Sequence, residues 1–177
     1  MRIYVPATLD ELEGATVAAG GARWDVAARR AHAVTPALER ELPDEDDESR
    51  EYEAFLAAAD DSLALVAGRR VAPPLRVVVS LDVPDDAATV ADDADEPSAV
   101  DVVALPGVAV VAVHVDEPDA ADDVRAVLTA AEEENDAERK GDVGATSEEA
   151  LDAALQRVTD RDLLWYDPTE IPQIPRP

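Results

Sequence analysis

The run Val108-Ala109-Val110-Val111-Ala112-Val113-His114-Val115 constrains this chain more than any other segment, because it is apolar on both faces that a strand would present. A strand with one solvated face alternates polar and apolar residues; one covered on both faces does not. The segment therefore reads as a central strand, which needs strand partners beside it and packed layers above and below. Residues 75–83 supply a clear second strand. Leu75, Val77, Val79, Leu81 and Val83 face one way, and Arg76, Ser80 and Asp82 the other.

The remaining elements follow from period and punctuation. Arg2 to Val5 reads as a short strand ended by Pro6, and residues 28–34 as another. Thr8 with Glu11 has the spacing of a capping box, and Leu9, Leu12, Thr16 and Ala19 then predict a helix closed by Gly20-Gly21. Thr35-Pro36 predicts a short helix that Pro43 ends. The longest helix is expected over 45–67, with Tyr52, Phe55, Leu56, Ala59, Leu63 and Val66 on its apolar stripe. Gly68 ends it, with Arg69 and Arg70 just beyond. Residues 100–105 and 108–115 are expected to form a hairpin about Pro106-Gly107. A helix beginning at Pro118, a second one capped by Thr146 and Glu149, and a short strand over 163–166 complete the chain.

This order predicts an α+β fold: a mixed β-sheet of about four to five strands covered by helices, as a two-layer α/β sandwich. One domain is expected over residues 1–171, with a mobile acidic loop near 85–98 and an extended Pro-rich tail at 172–177.

Charge sets the partner classes. With 41 acidic residues against 15 basic ones and a formal net charge of −26, the surface repels nucleic-acid phosphates and anionic lipid headgroups. A basic protein surface is the partner such a field attracts. No cysteine is present, so disulfides, thiolate metal sites and cysteine nucleophiles are excluded. No basic-then-apolar leader opens the sequence, and no apolar run reaches the roughly 18 residues of a membrane helix. A soluble, cytoplasmic protein is expected.

The opening Met1-Arg2-Ile3-Tyr4-Val5-Pro6-Ala7-Thr8 and the closing Leu163-Leu164-Trp165-Tyr166 resemble those of a family of uncharacterised, acidic actinobacterial proteins. The strand at 76–85 and Val113-His114-Val115-Asp116 also fit it. The resemblance covers most of the chain. It implies a cytoplasmic α/β domain and brings no activity, cofactor or site residue.

The residues offer few chemical constellations. His32 and His114, both expected on strands, could meet with Asp116 or Glu117 as a two-histidine, one-carboxylate metal site, but no ligand spacing supports it. Asp93 and Asp95 alternate as in a calcium loop, yet Pro97 takes the third ligand position and the turn glycine is missing. No metal site and no cofactor are therefore expected. Arg29, Arg30 and Arg76, with His32 and His114, could line a pocket for a phosphate or carboxylate. Tyr4, Trp165 and Tyr166 could form an aromatic platform, or simply close the core. No G-x-S-x-G, P-loop or G-x-G-x-x-G motif occurs. The sequence thus favours a non-enzymatic protein-interaction module, with a small-anion binder or enzyme on the Arg/His side of the sheet as the alternative.

Overall fold

A computed structural model describes residues 1–69, 71–91, 96–140 and 145–177. Among these residues the chain forms one nine-stranded sheet. The strands are β1 (Arg2–Ala7), β2 (Thr16–Ala18), β3 (Gly21–Val26), β4 (Arg29–His32), β5 (Val77–Asp82), β6 (Ala88–Val90), β7 (Ala99–Val102), β8 (Leu105–Asp116) and β9 (Leu163–Tyr166). Their order is β2-β3-β8-β5-β1-β4-β7-β6, with β9 also pairing β8. Every pairing is antiparallel, which overturns the expected mixed sheet of four to five strands. The α+β class stands. Parallel neighbours need a crossover of a dozen or more residues. The long crossover from β4 to β5 does run parallel to parallel, but β1 lies antiparallel between them.

Two local expectations fail for identifiable reasons. The helix expected over 8–19 shrinks to a 3-10 turn, Glu11–Gly14, and β2 then folds back on β3. Strand β3 carries a period-two signal: Ala22, Trp24 and Val26 are buried while Arg23 and Asp25 are exposed. The Pro106-Gly107 hairpin does not form, because β8 runs straight through both residues. Gly107 adopts φ 58°, its N–H donates to Asp25 Oδ1 at 2.6 Å, and its carbonyl accepts from Arg23 at 2.7 Å. Strand β7 pairs instead with β4 and β6, and β6 lies inside the stretch expected to be loop. The tail docks: Ile171 and Ile174 are buried, and Arg176 ion-pairs with Glu13.

The helices are α1 (Pro36–Glu41), α2 (Asp47–Gly68), α3 (Ala121–Lys140) and α4 (Ala145–Thr159). Among the described residues, no helix is long and apolar enough to cross a membrane. Thr35 caps α1 by accepting from two backbone N–H groups, as its sequence predicts. The sheet buries a different layer on each face. Ile3, Val79, Leu81 and Val113 join one cluster that reaches Trp24 on β3 and Val102 on β7. On the other face, Tyr4 and Val78 pack against Ala54, Ala58 and Ala59 of α2, whose small side chains let the helix approach closely. Leu63 and Val66 then carry α2 into a third cluster with Val124, Val127, Ala154 and Val158 of α3 and α4.

Two polar ties fix these layers. Ser62 Oγ donates to the Ala7 carbonyl at 2.8 Å and accepts from Val77 N–H at 2.7 Å, pinning α2 across β1 and β5. Arg76 and Asp116 are both buried and meet at 2.8 Å, while the Arg76 N–H donates to the same carboxylate at 2.7 Å. Asp116→Ala strands the guanidinium away from water. It is expected to cost roughly 3–5 kcal/mol in urea unfolding, and the apolar pair Arg76→Met, Asp116→Leu distinctly less.

Candidate functional site

Register decides which side chains meet above the sheet on the α2 side. Tyr4 pairs with Ser80 and Ser80 with Ala112, so these three share a face. His114, two residues beyond Ala112, points the same way, and it pairs across β8 and β9 with Trp165. The first turns of α2 bring Glu48, Glu51, Tyr52 and Phe55 over this row, and Arg161 and Asp162 close one end. Between them lies a cleft of about 610 Å³.

The cleft concentrates a scarce resource. It holds one of two Trp, two of three Tyr and the only Phe in the chain. Phe55 sits at its centre, 6.1 Å from Tyr4 edge-on, 6.1 Å from Tyr52 in a stacked arrangement, and 4.9 Å from His114 edge-on. Tyr52 is 52% and Trp165 60% exposed, whereas Trp24 is only 4% exposed and donates its indole N–H to the Glu11 carbonyl. Burying aromatic rings is a main driver of core formation, so two rings left in solvent on the rim of a cleft are positioned for contact.

Its charges are mostly acidic. Arg2 forms a two-pronged pair with Asp82, at 3.0 and 2.9 Å, and that hydrogen bonding holds the Asp82 carboxyl below its usual range. Arg161 binds Asp123 at 2.6 Å and also Glu117, and it holds Asp123 low in the same way. Both cationic side chains are thus already neutralised, while Glu48, Glu51 and Asp162 remain on the lining. Tyr4 donates to Glu51 at 3.0 Å; burial, then that hydrogen bond, pushes the phenol well above its ordinary value. Burial pushes His114 down, and its Nδ1 is enclosed without a hydrogen-bond partner. Burial therefore favours the neutral form of the His114 ring.

Tyr4, His114 and Trp165 are the sequence-derived candidates that this cleft brings together. Tyr166 turns to the opposite face and packs on the large core. Arg29 and Arg30, adjacent on β4, point to opposite faces and meet Glu11 and Glu96, each at 3.1 Å. Arg76 is committed to Asp116. His32 contacts Ser98 and Asp61, at 2.9 and 3.0 Å. It lies on β4, separated from β8 by two strands, about 14 Å at the usual strand spacing, so it does not meet His114. Arg70, Asp93, Asp95 and the Thr146 side chain lie outside the described residues.

Glu51, Tyr52, Phe55 and Arg161 were not among the sequence-derived candidates. Tyr52 and Phe55 fall on the apolar stripe of α2 and read as core. The available signal was an aromatic pair three residues apart in a chain with only 3% aromatics.

The lowered His114 value has a pH consequence. The unfolded chain takes up a proton near 6.5, before the folded chain does, so stability is lost as pH falls through and below 6.5. His114→Phe is expected to remove this component from a stability–pH profile measured by urea unfolding.

No curated protein and no solved structure matches the chain. A family model does match, over residues 1–174. Since that match spans both strands that carry Tyr4 and Trp165, and α2 between them, the cleft lies wholly within it. The chain belongs to DUF6912, a family of unknown function.

Proposed function

We propose that this protein is a non-enzymatic interaction module that seats a basic side chain of a protein partner in the aromatic cleft. The observation that carries the proposal is the pairing of exposed rings with acid: Tyr52 and Trp165 stand in solvent beside Glu48, Asp162 and Glu51, the last of which also accepts from Tyr4. A guanidinium or ammonium over an aromatic face gains about 0.5–2 kcal/mol, more as water is excluded. Carboxylates at the rim add attraction, and the net charge of −26 steers a basic surface toward the molecule. An anionic ligand would face the opposite field, and it would have to displace Asp82 from Arg2 or Asp123 from Arg161.

Trp165 reports on the proposal directly, because Trp24 is sequestered. A short peptide with one arginine is expected to change Trp165 fluorescence, and the change should weaken as salt rises. Its citrulline counterpart, equal in shape but uncharged, should bind distinctly less. Trp165→Ala should weaken arginine-peptide binding, measured calorimetrically, by roughly 2- to 30-fold. Equal binding of both peptides, or binding indifferent to Trp165→Ala, overturns the proposal. A phosphate-dependent rise in Tm would instead favour a small-anion binder.

A further inference from the structure

A second cluster forms at the other end of α2, on the far side of β1 from the cleft. His32 on β4, Asp61 on α2 and Glu96 ahead of β7 each offer one donor atom, and the three atoms lie within 4.8 Å of one another. The imidazole is 1% exposed and its orientation is set from behind, since Nδ1 lies 2.9 Å from Ser98 Oγ. That contact leaves Nε2 facing Asp61 Oδ2 at 3.0 Å. Tetrahedral bonds of about 2.1 Å place neighbouring donors about 3.4 Å apart, so the imidazole and the Asp61 carboxylate, 3.0 Å apart, lie within about half an ångström of the separation of adjacent ligands.

We propose that His32, Asp61 and Glu96 form a binding site for one divalent transition-metal cation of the zinc class. One imidazole nitrogen with two carboxylate oxygens suits zinc and its neighbours, whereas calcium and magnesium prefer oxygen-only shells. Ser98 holds the non-ligating nitrogen in the way outer partners of metal-bound imidazoles do. Two carboxylates carry the charge that balances a divalent ion. Arg30 supplies an internal competitor: its guanidinium sits 3.1 Å from Glu96 Oε2 and holds the carboxylate that the metal needs. The site is independent of the aromatic cleft, and the proposal stands whether or not a basic partner binds there.

So acidic a surface also collects divalent ions diffusely, and the experiment has to separate the two modes. Zinc is titrated calorimetrically into the full chain in excess calcium, which saturates the diffuse carboxylates. The wild type should show a single tight equivalent. Asp61→Asn and Glu96→Gln alter partly exposed positions, and each should weaken that phase by about a hundredfold, while leaving the unfolding midpoint in chelator near wild type. Arg30→Gln should tighten it by about tenfold through removal of the competing charge. Absence of a tight phase, its persistence in both carboxamide variants, or an Arg30→Gln affinity that is unchanged or weaker overturns the site.

Discussion

Two charges that water does not reach, on Arg76 and Asp116, hold the start of β5 against the end of β8. The same guanidinium donates to the Arg161 carbonyl at 2.9 Å, just ahead of β9. One ion pair therefore sets where β9 begins, and β9 places Leu163 and Trp165 on the wall of the cleft. Buried pairs of this kind return little net stability, because desolvating both ions offsets their attraction. Their value is geometric: a carboxylate that accepts from the backbone N–H and the guanidinium of one residue tolerates no slip in register.

Register matters here because the sheet serves two incompatible environments. Odd positions of β1 and β5, such as Ile3, Val79 and Leu81, feed the large core. Even positions, Tyr4 and Ser80 among them, face α2 and the cleft. A one-residue slip would exchange them and leave the cleft lined with valine. Ser62 guards the same register from the helix side, through its bonds to Ala7 and Val77. With Phe and Met nearly absent, the core is built from alanine and valine, whose small volumes bring layers close and leave few large rings to bury. Most of the rings that exist were placed at the cleft instead.

Helix α2 then distributes function along its length. Its first turns present Glu48, Glu51, Tyr52 and Phe55 to the cleft; its middle closes on the sheet through alanines; Asp61 reaches His32 beyond β1. Phe55 and Asp61, six residues apart on one rigid helix, thus contribute to two sites on opposite sides of one strand.

Periods and punctuation alone determined the long helix, the Thr35 cap of α1, the alternation of β5 and the central place of β8. These are local signals: the chain's own hydrophobic pattern and a cap bonding to backbone within one turn. Sheet size and direction were not legible. Strands β2 and β6 span three residues each, too few for a period to show, and a helical spacing of Leu9 and Leu12 competed with the β2–β3 hairpin. Tyr4, His114 and Trp165 were visible as candidates, but only register across β1, β5, β8 and β9 brought them under Phe55. Only tertiary structure committed Arg29, Arg30 and Arg76 to Glu11, Glu96 and Asp116, since ion pairing across 18 to 66 residues depends on where strands lie, which no local pattern encodes.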